Sequence, residues 1–200
     1  MSNKTNFLKY LSIENTGLNQ TLVIVLIALN AALYVILGLV TAGLPPVYGV
    51  RFWPAVVGPA IFAVIFGPLI GGIGAAIGIF ISDMMTHGMP LLSLSVGVTS
   101  NFIAFFILGY LTRKYNIYRY ITAAILSNFV GSGIIAVGVV IWSQFFMLPG
   151  ATEVSALPLI LTVTVFASTF LMQIPFLIII VPPAVKIIKK ALPPSILKSN

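Results

Sequence analysis

Gly67-Pro68-Leu69-Ile70-Gly71-Gly72-Ile73-Gly74-Ala75-Ala76-Ile77-Gly78 is a run of small and apolar residues without a single charge. Gly67, Gly71 and Ala75 recur every four residues, and Gly71, Gly74 and Gly78 form a second stripe. On a helix, each stripe is a flat face that lets a neighbouring backbone come close. Two such faces predict a helix hemmed in by other helices. A dinucleotide-binding reading of the glycines does not fit, because no aqueous strand–turn–helix context flanks them.

The rest of the chain supplies those neighbours. Of its 200 residues, 60% are hydrophobic and only 6% are charged, and the mean hydropathy is +1.15. Soluble domains carry about 25% charged residues, so a soluble domain is excluded, as is disorder. Six apolar segments can be drawn, at about 20–43, 54–66, 68–85, 90–112, 120–146 and 157–181. Backbone polar groups must be satisfied inside lipid, so these segments read as helices. The alternation of a membrane barrel is absent. The expected fold is an all-α polytopic membrane protein with six transmembrane helices. Residues 1–19 form a cytoplasmic N-terminal segment, 20–185 the transmembrane domain, and 186–200 a basic cytoplasmic tail. No secretory signal peptide is expected, since Met1 to Gln20 is largely polar. The second segment is short for an upright crossing; a buried helix or a re-entrant piece is the alternative. Phe66-Gly67-Pro68 offers a tight turn into the third.

Charge placement orients the chain. Lys4 and Lys9 precede the first span. Arg113, Lys114 and Arg119 lie between the fourth and fifth. Lys186, Lys189, Lys190 and Lys198 follow the sixth. With six spans these nine of ten basic residues share one side, which marks it as cytoplasmic and puts both termini there. The high pI is thus a topology signal, and no nucleic acid partner is implied. Arg51 alone faces outward, with Asp83 and Glu153; Glu14 stays inside. The outer segments are Leu44 to Trp53, Thr86 to Met89 and Met147 to Ala156.

Little in the chain can do covalent chemistry. There is no cysteine and one histidine, and no HExxH, GxSxG or phosphate-loop motif. Asp83 and His87 are four apart and could share a helix face, but no third metal ligand is evident. The expectation is no enzyme, no catalytic residue, no metal and no cofactor. Polar residues within the later spans form stripes: Gly97 and Asn101; Ser127, Gly131, Gly138 and Trp142, with Asn128 and Ser132 on a neighbouring face; and Thr162, Phe166, Thr169 and Gln173. These either bond between helices or line a cavity. Tyr48, Trp53, Trp142 and Gln144 fall near the outer ends, as an interfacial belt or as walls for a flat heterocycle.

Taken together, Ala28-x-x-x-Ala32 in the first span, Arg51-Phe52-Trp53-Pro54 after the first outer loop, Phe66-Gly67-Pro68-Leu69-Ile70-Gly71-Gly72 running on to Ser82-Asp83, and six spans in about 200 residues resemble the substrate-binding S components of energy-coupling factor (ECF) vitamin transporters. The resemblance extends from about Thr21 to Lys190. It implies a high-affinity binding subunit for a water-soluble vitamin or related micronutrient in a prokaryotic plasma membrane. It also implies docking on a transmembrane coupling subunit through Ala28 and Ala32, with two ATPase subunits supplying energy. The loop from Leu44 to Trp53 would act as a lid. Spans four to six and the outer loops would line the pocket, with Tyr48, Arg51, Trp53, Asp83, His87, Asn101, Trp142, Gln144 and Thr162 as candidates chosen by depth and polarity. An ion-coupled carrier would keep acids near the bilayer centre, and none stands there. A small channel or facilitator, or a structural membrane protein, is the alternative reading.

Overall fold

A computed structural model describes residues 18–42 and 53–193. Tyr48 and Arg51 lie outside the described residues. In chain order the helices are α1 (Gln20–Ala42), α2 (Val57–Phe66), α3 (Pro68–Thr86), α4 (Pro90–Leu111), α5 (Ile117–Ser143), α6 (Leu161–Ile179) and α7 (Val181–Ala191). A 3-10 turn, Pro54–Val56, leads into α2, and Ser93–Val98 within α4 is π-helical. No strand occurs among the described residues. Five segments are long and apolar enough to cross a bilayer: α1, α3, α4, α5 and the stretch Leu161–Ala191. The chain is an all-α polytopic membrane protein.

Local chemistry explains the breaks. Gly67 has φ 97°, a conformation glycine adopts without strain, and Pro68 follows as the first residue of α3, where its missing N–H costs nothing. Asn116 caps α5, its Oδ1 accepting from the Tyr118 N–H at 2.9 Å. After a break at Ile180 the chain continues as α7, which runs across the expected boundary at 186 between the transmembrane domain and the basic tail; Pro182 and Pro183 lie in its first turn, where proline is tolerated. Val181 and Val185 are buried in the common core, while Lys186 and Lys190 are exposed. Lys189 Nζ lies 4.8 Å above the Tyr115 ring centroid, so α7 and the α4–α5 turn share one end of the bundle.

α3 sits at the centre, packed chiefly on α1 and α4 and also on α2. Its glycines make this possible. A Cβ at Gly71 would collide with Ala63 of α2, and one at Gly74 with Asn30 of α1. At Gly78 it would lie 2.8 Å from the Tyr34 Cβ, and at Gly72 it would lie 3.1 Å from the Phe102 carbonyl oxygen of α4. Asn30, fully buried, donates from Nδ2 to the carbonyls of Ile70 (3.0 Å) and Gly71 (3.2 Å), an interhelical bridge in a setting that offers no water. The short α2 is buried along almost its whole length, so it meets mostly protein and needs little lipid-facing surface. α1 has two faces. Asn30, Tyr34 and Gly38, spaced by four, point inward and are buried; Ala28 and Ala32, also spaced by four, are exposed with Leu29, Leu33 and Ile36.

Candidate functional site

Trp53 and Asn101, both singled out from the sequence, converge where α1, α3 and α4 meet. Trp53, 8% exposed, donates from its indole Nε1 to the Tyr34 hydroxyl at 2.9 Å. That hydroxyl donates to Asn101 Oδ1 at 2.6 Å. The Asn101 Nδ2 in turn donates to the Gly97 carbonyl at 2.8 Å. Tyr34 also meets Trp53 and Phe105 edge-on, at centroid distances of 6.0 and 6.3 Å. Gly38 makes room for the indole: a Cβ there would come within 2.8 Å of Trp53 Cη2.

Asp83 lies beside this chain of hydrogen bonds. Its Oδ2 accepts from Ser93 Oγ at 2.7 Å, and its Oδ1 stands 3.5 Å from His87 Nε2. His87 is the residue that ends α3, and its Nδ1 accepts from the Met89 N–H at 3.2 Å. A neutral imidazole accepting at Nδ1 carries its proton on Nε2, facing the carboxylate. The π segment brings Ser93 and Gly97 to Asp83; a Cβ on Gly97 would sit 2.7 Å from Oδ2. The π turn therefore shapes a polar site, a frequent role for such turns. Any pairing of Asp83 with Arg51 lies outside the described residues. No group of three or more His, Asp or Glu gathers among the described residues.

The other candidates cluster at the outer end of α5. Trp142 donates from Nε1 to the Met147 carbonyl at 3.0 Å and stacks on Phe146 with centroids 4.4 Å apart. Gln144 Nε2 donates to the carbonyls of Val140 (3.1 Å) and Leu157 (2.9 Å), and the Leu157 N–H donates to Ser143 Oγ at 3.0 Å. These bonds pin the 145–160 loop against α5. Gln144 thus has its amide nitrogen committed to that loop. Half-buried Thr162 opens α6 just beyond it.

Between α4, α5 and α6 lies a cleft of about 20 Å³, lined by polar Ser100, Asn101, Ser127, Asn128 and Gln173 and by apolar Phe105 and Leu177 among others. That volume holds about one water. Asn128 Nδ2 crosses to the Phe170 carbonyl of α6 at 3.1 Å. Gly131 allows α5 to approach α4, since a Cβ there would lie 2.9 Å from the Ala104 Cβ. Of the candidate ligand contacts Asn101 alone lies on the cleft wall, beside Ser127, Asn128, Gly131 and Gln173 of the polar stripes, and it joins the cleft to the Trp53–Tyr34 chain. Sequence reasoning left Tyr34 and Ser93 out of the site. The signal for Tyr34 was present, because Asn30, Tyr34 and Gly38 mark one polar or small face of α1.

Residues 18–190 match the family model described as "ECF-type riboflavin transporter, S component". No curated protein and no solved structure matches the chain significantly.

Proposed function

The chain belongs to this family of S components, the membrane substrate-binding subunits of vitamin transporters, and we propose that its cargo is riboflavin or a close flavin relative. The observation that carries this reading is the polar-floored cleft between α4, α5 and α6 within the matched span. Small-molecule sites combine apolar walls with a few placed polar groups, and an isoalloxazine needs both: a flat apolar body and an edge of carbonyls and ring nitrogens. Asn101 and Gln173 are our candidates for that edge. Trp142 and Thr162 stand above them towards the outside, with Trp53, Asp83 and His87 shaping the neighbouring wall. Tyr48 and Arg51 would belong to the loop that covers the site.

Ligand pockets of this kind run to about 300 Å³ or more, far above the cleft as it stands. Binding then requires one wall to yield, and α6 is the wall held least by its neighbours, with only Thr169 and Leu177 buried. Ala28 and Ala32 lie on the exposed face of α1, which supports their role in docking on the transmembrane coupling subunit. Two ATPase subunits would energise uptake, as nothing in this chain resembles a nucleotide site. The basic end, with Arg113, Lys114 and Lys190, would face the cytoplasm of a prokaryotic cell.

The test is to purify the protein in detergent, identify released small molecules by mass spectrometry, and titrate riboflavin by quenching of its fluorescence. Stoichiometric flavin and saturable binding between roughly nanomolar and micromolar is the expected outcome. A protein that releases no flavin and leaves added riboflavin fluorescence unchanged rejects the assignment.

A further inference from the structure

We infer that Tyr34 and Trp53 are positioning residues for ligand recognition: together with the Gly97 carbonyl they fix which way round the Asn101 side-chain amide faces, and so which kind of hydrogen bond it offers to the cleft. The inference rests on the cleft being the ligand site, as proposed above.

The argument follows from donor and acceptor inventories. An indole N–H can only donate, so the Trp53–Tyr34 contact at 2.9 Å makes the Tyr34 oxygen the acceptor. The single hydroxyl proton of Tyr34 is then left for its other neighbour, Asn101, 2.6 Å away. The Asn101 atom at that contact must accept, and it is the amide oxygen. The nitrogen is thereby turned towards the preceding turn of α4. One of its hydrogens goes to the Gly97 carbonyl at 2.8 Å. The other has only a long 3.5 Å approach to Ser100 Oγ, and Ser100 lines the cleft with Asn101. Asn101 thus holds one weakly engaged N–H donor beside the cleft.

Turning the amide over would set its oxygen against the Gly97 carbonyl and forfeit the Tyr34 proton at the other end, so two contacts hold the present orientation. Without the Trp53 N–H, Tyr34 could rotate its proton away, and one of the two is lost. A turned amide would present oxygen where nitrogen now stands. Tyr34 and Trp53 are both buried and neither is among the residues lining the cleft. They act through Asn101, and they tune the site for a ligand edge that accepts, such as a ring carbonyl or an unprotonated ring nitrogen.

The experiment is a double-mutant cycle on riboflavin affinity, read by flavin fluorescence in the full-length purified protein. Tyr34→Phe and Asn101→Ala are each expected to weaken binding about tenfold, the scale of one lost hydrogen bond. The double variant is expected to bind no worse than Asn101→Ala, because Tyr34 has no other route to the ligand. Trp53→Phe keeps an aromatic ring and removes only the N–H; a severalfold loss is expected there, and it serves if Tyr34→Phe does not fold. Thermal unfolding of each variant checks its fold. Losses that multiply to about a hundredfold in the double variant, or unchanged affinity in Tyr34→Phe and Trp53→Phe, overturn the inference while leaving the flavin assignment intact. A wild-type protein that binds no riboflavin overturns both.

Discussion

α3 and α6 are both apolar helices of 19 residues, yet the protein treats them oppositely. In the most apolar stretch of α3, 56% of residues are buried, against 11% for the stretch that contains α6. The cause lies in side-chain size. Gly71, Gly72, Gly74 and Gly78 bring α3 into backbone contact with α1, α2 and α4, whereas α6 offers Phe166, Phe170 and Leu171 and touches mainly α5. Apolar side chains gain nothing by leaving lipid for protein, so in a membrane close contact must be built from small residues and hydrogen bonds. One side of the molecule is thereby closed as a scaffold, and the other keeps a cleft and a wall with few buried side chains.

The sharpest way to break this contrast is to add volume to the closed side. Gly74→Val sets a branched side chain on top of Asn30 and is expected to cost about 3 kcal/mol or more, leaving little monodisperse protein in detergent. A variant that purifies and melts like the wild type would show that the closed side is not closed. Next comes the outward face of the same scaffold. Ala28→Trp is expected to reduce uptake to background in proteoliposomes holding the complete transporter, with riboflavin affinity unchanged; retained uptake would remove α1 from the docking surface. Asn30→Ala deletes two bonds to α3 and leaves a small cavity where the amide stood, and a loss of about 1–2 kcal/mol in reversible unfolding is expected. The smallest effect belongs to the open side. A Cβ at Gly133 of α5 would meet no atom within 4 Å, so Gly133→Ala is expected to be neutral or to stabilise by up to about 1 kcal/mol. A clear loss there would mean that the open side is packed by something beyond this chain's described residues.

The scaffold was readable in the sequence because glycine spacing maps directly onto helix faces. Gly71, Gly74 and Gly78 announced close packing, and close packing is what they make. Composition alone carried the all-helical membrane class. The candidate site was legible only in pieces. Trp53, Asp83 and Asn101 stand out as polar or amphipathic groups in apolar surroundings, but the residues joining them do not. Tyr34 shares a polar or small face of α1 with Asn30 and Gly38, but its partner Asn101 is 67 positions away, a separation no local pattern encodes. Ser93 reaches Asp83 through a π turn that no spacing rule for ordinary helices would foresee. Gln144 reads as a ligand contact by depth and polarity; the Val140 and Leu157 carbonyls to which its amide nitrogen donates are backbone groups that the sequence does not reveal.

The turn at Gly67 also bears on how the chain enters the membrane. α2 has 10 residues and spans about 15 Å, half of a hydrocarbon core, and nearly all of its surface is covered by protein in the finished bundle. At that length it falls short of an upright crossing on its own. Entry together with α3, as two arms of one hairpin hinged at a residue with positive φ, would carry it in. A substituent on Gly67 would then act early, on whether the newborn chain threads at all, before any question of stability or ligand arises.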